Sequence, residues 1–319
     1  MAATAKRVTV FGGSGFIGRY LVKRLAAEGW VVRVAVRDPV AASFLKPAGN
    51  VGQIVPLRCN QREDDAVAAA VAGADAVVNL VGILYEFGGQ RFEAIHAEGP
   101  ARIGRAAAAA GVSRYVHVSA IGADPSSPAL YARSKAAGEA GARAAFPGVT
   151  IVRPSIVIGP EDGFFNRFAR MAQLAPALPL IGGGRTRFQP TYVGDVADGL
   201  MAALRRSDSA GRTYELGGPR VYTFRELMEL MLRIIDRKTR LVTLPFGLAE
   251  MLALVTQLAP VPPLTRDQVL LLEAGDNVVS PGALGYADLG LQPQAIEAIL
   301  PTYLDIYRAG GRFAASRVA

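Results

Sequence analysis

Three glycines, Gly12, Gly15 and Gly18, sit where an apolar β-branched run ends and a helical segment begins. No other feature constrains the fold of this chain as much. In a strand–turn–helix setting the first glycine allows the tight bend and the second lets backbone approach a ligand. The third lets the helix pack against the strand. The full run is Gly12-Gly13-Ser14-Gly15-Phe16-Ile17-Gly18. Its N–H groups, with the positive end of the helix that opens there, would face an anion such as a pyrophosphate. Glycine triplets also mark ordinary turns, but one placed between a strand and a helix near the N-terminus reads as a phosphate cradle. Gly12, Ser14, Gly15, Phe16, Ile17 and Gly18 are therefore the first candidate ligand residues.

The rhythm continues beyond the turn. Short apolar runs at 8–11, 31–36, 54–57, 76–81, 115–118 and 150–152 alternate with Ala-rich helical stretches at 16–28, 64–72, 100–110 and 132–145. Strands apolar on both faces belong in a parallel sheet covered on both sides. Gly29, Gly73 and Gly111 stand where helices would end. The pattern predicts an α/β fold, a Rossmann-type doubly wound parallel sheet over residues 1–155. After Pro154 the alternation breaks. Pro and Gly become frequent over 159–184, residues 188–193 and 213–216 read as strands, and Thr223-Phe224-Arg225-Glu226 has the spacing of a capping box opening a helix to about Asp236. Residues 156–319 form a smaller mixed C-terminal lobe in this reading, with later segments packing back on the sheet domain.

Composition narrows the function classes. Cys59 is the only cysteine, so no intrachain disulfide can form, and a reducing, cytoplasmic setting fits. His96 and His117 have no Cys or carboxylate cluster near them, and no metal is expected. A net charge of +8 favours an anionic partner. Basic residues form no run of five and do not interleave with aromatics, which argues against nucleic acid. No apolar stretch reaches the ~18 residues of a spanning helix. The first six residues lead into a strand at once and leave no room for a signal peptide. A soluble or peripheral protein is expected.

Three further positions carry chemistry. At the end of the second strand, where an acidic residue would hold a ribose 2′-hydroxyl, the chain has Arg37 followed by Asp38. A guanidinium there grips a 2′-phosphate and favours NADP(H) over NAD(H). Were Arg37 merely paired with Asp38 on the surface, that carboxylate would take the ribose instead. Asn79-Leu80-Val81-Gly82 closes the fourth strand at the edge a dinucleotide must cross, where Gly82 admits the nicotinamide ribose or simply ends the strand. Tyr131 and Lys135 lie four apart on one helix face after the fifth strand. An ammonium beside a phenol lowers its pKa and readies it for proton transfer.

The set Gly12-x-x-Gly15-x-x-Gly18, Tyr131-x-x-x-Lys135 and Arg153-Pro154 resembles the short-chain dehydrogenase/reductase superfamily in its extended or atypical branch. More narrowly, the chain is similar to the family of NADPH-binding accessory subunits of respiratory complex I and their bacterial homologues. Val78 to Gly82, Ala145-Phe146-Pro147, Ile158 to Asp162, Phe164 to Phe168, Gln189 to Val196 and Leu264 to Asp267 carry this narrower likeness. The resemblance implies Tyr131, Lys135 and Ser119 as catalytic candidates, and Val81, Gly82 and Pro154 as cofactor contacts beside the glycine turn. Two positions depart from the superfamily pattern. Extended members place the serine slightly later, where this chain has Ala120 and Ile121, so Ser119 is either that residue or a strand-end hydroxyl capping backbone. The adenine-contacting Asp is replaced by Asn60, whose side-chain oxygen substitutes for it unless the contact is missing.

Three functions from different classes follow. One is an NADP(H)-holding structural or regulatory factor tied to complex I or ubiquinone metabolism. Another is an active NADPH-dependent reductase, epimerase or dehydratase on a hydrophobic substrate; a redox-sensing module is a third. Arg233, Arg237, Lys238 and Arg240 precede an apolar segment, 241–264, that contains Pro245, Pro260, Pro262 and Pro263 and so cannot be one spanning helix. It is either a short buried helix or a surface resting on an anionic membrane or a membrane-bound partner, on the cytoplasmic face of the inner membrane.

Overall fold

The computed structural model describes residues 6–259, 262–308 and 310–311. Residues 1–5 and Pro260, which entered the reading of the N-terminus and of the apolar segment, lie outside the described residues. The chain divides into two compact units, one of residues 1–154, 193–216 and 280–292, the other of 155–192, 217–279 and 293–319.

The first unit is built on β1 (Arg7–Phe11), β2 (Val31–Val36), β3 (Ile54–Arg58), β4 (Ala76–Asn79), β5 (Arg114–Val118) and β6 (Thr150–Pro154). The strand Thr213–Leu216 joins them in a seven-stranded sheet, and its order is Thr213–Leu216, β6, β5, β4, β1, β2, β3. All its pairings are parallel. Strand order reverses between β1 and β4, and a crevice opens at the carboxyl ends of strands at such a switch point.

Alternate residues serve the two faces of the sheet. Phe11, Ala35, Val77, Tyr115 and Ile151 pack with Val67, Ile103, Ala107 and Ala142 of α2 (Asp64–Val71), α3 (Gly99–Ala109) and α4 (Leu130–Ala145). Val10 and Val34 point the other way, where they meet Val22 around Gly13. Val22 belongs to α1 (Phe16–Ala27), which also buries Leu21 and Leu25. Each such side chain contributes roughly 1.5–3 kcal/mol. α1 is tied to the helix Val193–Arg205 by Arg24, which donates to both carboxylate oxygens of Asp198 at 2.7 and 3.1 Å.

Local differences from the sequence reading have physical causes. β4 stops at Asn79 rather than at 81, because the Asn79 side-chain oxygen accepts the Val81 N–H at 3.1 Å and turns the chain out of the sheet. Residues 188–193 form two short strands, Arg187–Phe188 and Thr191–Tyr192, broken at Pro190, and a helix begins at Val193. Proline has no N–H to give a ladder. A π-helical turn, Glu93–Glu98, leads into α3.

In the second unit, Phe165, Leu178, Leu180, Phe224, Met228, Leu300 and Leu304 form the core. The expected capping box opens the helix Phe224–Ile234, with Thr223 and Glu226 bonded reciprocally. The apolar segment holds the strand Arg240–Leu244 and the helix Phe246–Thr256. Only Ala249 and Ala253 of that helix are buried, so it is not the buried element offered as one alternative. No helix among the described residues is long and apolar enough to cross a membrane.

Candidate functional site

The glycine turn has the shape its spacing predicted. Gly12 has φ +75°, a conformation that disfavours side chains, and its carbonyl accepts the Gly15 N–H at 3.0 Å. A Cβ on Gly18 would stand 2.6 Å from the Gly12 oxygen and from two Gly13 backbone atoms, so the helix can pack here only with glycine. A Cβ on Gly12 would come within 3.3 Å of the Val81 backbone and side chain, which brings the β1 turn and the β4 end together. α1 starts after Gly15 with no side-chain cap and no acidic residue in its first turn. Its N–H groups are thus not taken by a cap, as an anion-binding helix start requires. Ser14, Phe16 and Ile17 are half-buried and Gly15 is exposed.

At the end of β2, Arg37 and Asp38 are both exposed and not paired with each other. Asp38 Oδ1 accepts the N–H groups of Val40 at 2.9 Å and Ala41 at 3.0 Å, so this carboxylate shapes its own turn. Asn60 is likewise engaged locally. Its amide donates to Glu63 at 2.6 Å and its oxygen accepts from Arg62.

Across the crevice the structure gathers Gly82, Ser119, Tyr131 and Lys135, and adds a residue that sequence reasoning set aside, His96. Lys135 is buried, donates to the Val118 carbonyl at 3.2 Å, and stands 6.0 Å from the Tyr131 ring centre. Burial pulls its pKa down to about 8, against the opposing pull of Glu139. At neutral pH the ammonium form still prevails, but it releases a proton far more readily than a surface lysine. The exposed Gly82 is open to a ligand, and a Cβ there would lie 3.5 Å from Lys135 Nζ and 3.6 Å from His96 Nε2. Ser119 is 4% exposed and its hydroxyl has no hydrogen-bond partner. A buried hydroxyl without a partner costs about 1–3 kcal/mol, an expense folds tolerate mainly where a ligand or water completes the bond. Pro154 closes β6, its carbonyl accepting the Ile121 N–H at 3.1 Å.

His96 lies in the π-helical turn with its ring 5.4 Å from that of Tyr131. Burial, the Lys135 charge and His117 push its pKa down to about 2, so it is neutral. His117, on β5 beside Asn79, bonds the Asn79 amide through Nδ1 at 3.2 Å and is pushed well below its ordinary value by burial and by Lys135. Glu139, one turn after Lys135, grips Arg153 through two bonds at 2.8 and 2.7 Å, and Arg153 also reaches Glu215 at 3.3 Å. This ion network fixes the lysine-bearing face of α4. His96 could not be singled out from sequence, since a lone buried histidine has no signature spacing.

The cradle, the open Gly82 edge and the partnerless Ser119 hydroxyl fit a dinucleotide laid across the switch point, its pyrophosphate at α1 and its far end beside Tyr131 and Lys135.

Known proteins place this arrangement. The profile of the NAD dependent epimerase/dehydratase family matches residues 8–217. The Arabidopsis thaliana protein named NADH dehydrogenase [ubiquinone] 1 alpha subcomplex subunit 9, mitochondrial, is 40% identical over 314 residues, covering 95% of this chain and 78% of that protein. A ceramide reductase of Caulobacter vibrioides is 33% identical over 251 residues, covering 77% and 76%. Among solved structures, the dTDP-glucose 4,6-dehydratase of Streptomyces venezuelae with NAD bound superposes with a TM-score of 0.69 at 23% identity, covering 93% of this chain and 95% of that one. The chain therefore belongs to the NAD dependent epimerase/dehydratase family, and its relatives include subunits of respiratory complex I.

Proposed function

We propose that this protein binds NADP(H) at the switch point of its first unit and serves as a nucleotide-holding subunit or partner of a respiratory complex I, with little or no turnover. The observation that carries the cofactor choice is the end of β2. The Arg37 guanidinium is exposed, whereas the neighbouring Asp38 turns one carboxylate oxygen, Oδ1, onto the N–H groups of Val40 and Ala41. A 2′-phosphate would meet a cation, whereas a bare ribose diol would leave that guanidinium without an anionic partner and find only Oδ2 of Asp38 open to it. Gly12 to Gly18 would hold the pyrophosphate, Val81 and Gly82 would admit the nicotinamide ribose, and Lys135 would bond its hydroxyls. Asn60 would approach the adenine and Pro154 the nicotinamide. The cofactor supplies hydride chemistry when bound; in this reading its main effect is to stabilise the fold, by about 2.7 kcal/mol at 100 times its Kd. The named subunits of complex I among the relatives support the partner.

A second reading, an NADPH-dependent reductase, epimerase or dehydratase on a hydrophobic substrate, is favoured by one observation. Lys135 combines burial, a pKa near 8 and proximity to Tyr131, as proton transfer requires. One experiment separates the two. The purified protein is denatured, the released nucleotide identified by mass spectrometry, and the native protein offered carbonyl and quinone substrates. Bound NADPH that resists oxidation supports the holding role; steady NADPH consumption supports the enzyme.

The second unit supports a peripheral, membrane-side position on the cytoplasmic face. Leu248, Met251, Leu252, Leu254, Val255 and Leu258 are all about half exposed or more, in and just after the helix Phe246–Thr256. Arg233, Arg237, Lys238 and Arg240 precede them in the chain. Exposed apolar side chains that follow basic residues in the chain suit a surface of anionic lipid, where each basic residue near the surface contributes roughly 1 kcal/mol. Sedimentation with anionic vesicles tests this: salt-sensitive binding supports the position, and no binding at low salt removes it.

A further inference from the structure

We infer that His96 is the positioning residue of the nicotinamide end of the site, a neutral clasp joining the loop after β4 to the first turn of α4. The inference rests on the nucleotide-binding reading above. Its ring Nε2 stands 2.9 Å from the backbone nitrogen of Ile83, and Nδ1 stands 3.0 Å from the hydroxyl of Ser134. A backbone N–H can only donate, so Nε2 is the bare, accepting nitrogen and Nδ1 carries the proton. The Nδ1–H then donates to Ser134, whose hydroxyl in turn donates to the Tyr131 carbonyl at 2.8 Å. One imidazole thus links Ile83, next to the open Gly82, to the helical turn that carries Tyr131 and leads to Lys135.

The surroundings are built around this ring. Phe92 stacks on it with centroids 5.3 Å apart, and Tyr131 meets it edge-on. Gly138 of α4 lies against the His96 carbonyl oxygen so closely that a Cβ there would overlap it. The π-helical turn Glu93–Glu98 widens the backbone where that carbonyl and the ring must both face α4. Lys135 and the other groups facing the ring carry no negative charge, and a second cation beside Lys135 is disfavoured. The clasp therefore keeps one protonation state across the physiological range. Its consequence is a fixed spacing between the Gly82 edge and the Tyr131–Lys135 face, across which the nicotinamide ribose must fit.

The two ring nitrogens can be separated by substitution. His96→Gln keeps an acceptor near the Nε2 position for the Ile83 N–H, whereas His96→Asn keeps only the donor toward Ser134. Two readouts are taken on the full chain: hydrogen exchange at the Ile83 amide without nucleotide, and NADPH affinity with the emission of the bound nicotinamide. The expected result for His96→Asn is faster exchange at Ile83, NADPH binding weakened about tenfold, and shifted nicotinamide emission. His96→Gln should keep slow exchange at Ile83, but it loses the Ser134 end, so its NADPH affinity and nicotinamide emission should shift as in His96→Asn. Unchanged exchange and affinity in His96→Asn overturn the clasp, as does exchange at Ile83 that is equally fast in His96→Gln, which would assign the ring to packing alone. A wild-type protein that binds no dinucleotide overturns the cofactor reading instead, and the exchange at Ile83 then decides the clasp by itself.

Discussion

Substitutions at Gly15 and Gly18 should separate ligand approach from folding, although both glycines belong to one turn. At Gly18 an added Cβ would sit 2.6 Å from three backbone atoms of Gly12 and Gly13. Ordinary carbon contacts need about 3.5–4.0 Å, so Gly18→Ala must push the turn from the helix by roughly 1 Å. Backbone cannot yield as a side chain does, and overpacking of this kind costs about 1–3 kcal/mol. A loss of about 2 kcal/mol lowers the melting temperature of a domain this size by about 4–8 °C. Gly15 is different. Its φ of −72° suits any residue, it is exposed, and an added Cβ meets only the Gly12 oxygen, at 3.2 Å. Gly15→Val should cost at most about 1 kcal/mol through the poorer N-cap, yet its branched side chain occupies the approach of the pyrophosphate. Calorimetric melting without nucleotide and titration with NADPH measure the two effects. Gly15→Val should melt near wild type and fail to bind, and Gly18→Ala should melt clearly lower. A Gly15→Val protein with normal affinity would refute the phosphate cradle.

Further outcomes follow from the buried charges. Arg153→Met strands Glu139 and Glu215, both less than a tenth exposed, and should lower stability by about 3–5 kcal/mol in chemical denaturation; a loss below about 1 kcal/mol contradicts the network. His96 and His117 have folded pKa values depressed below the unfolded value, so the stability they contribute is present above about pH 6.5 and is lost as pH falls toward the folded pKa. From pH 7 to 5 the loss from His96 should be about 2 kcal/mol, with a loss in the same direction from His117, and His96→Gln should remove its share; denaturation midpoints independent of pH would contradict this. If the protein chiefly holds its nucleotide, Tyr131→Phe should leave NADPH affinity within about threefold, whereas Lys135→Ala should weaken it, by titration calorimetry. A Tyr131→Phe protein that binds normally but fails to complement a deletion strain favours the enzyme.

Local signals made the first unit legible. The glycine turn, each apolar run and Tyr131-x-x-x-Lys135 are each complete within a few consecutive residues, and the capping box at Thr223 announced its helix. What stayed hidden depends on residues distant in sequence. His96 gains its role from Ile83 and Ser134, 13 and 38 residues away. Arg153 meets Glu215 from 62 residues away, because the strand Thr213–Leu216 returns beside β6. Asn79 ends its strand by a side-chain bond that composition does not display. The helix Phe246–Thr256 is apolar nearly all round, a pattern equally suited to burial or to a surface, and its exposure emerged only from packing.

The central claim is that Arg37 selects NADP(H). Titration calorimetry of nucleotide-free protein with NADPH and with NADH, in wild type and in Arg37→Ala, tests it most directly. The account predicts tighter NADPH binding in the wild type and a loss of about 1.5–3 kcal/mol for NADPH in the variant, from the charge-assisted contact removed. NADH affinity should barely change. Equal wild-type affinities for the two nucleotides, or an Arg37→Ala loss shared equally by both, would contradict it.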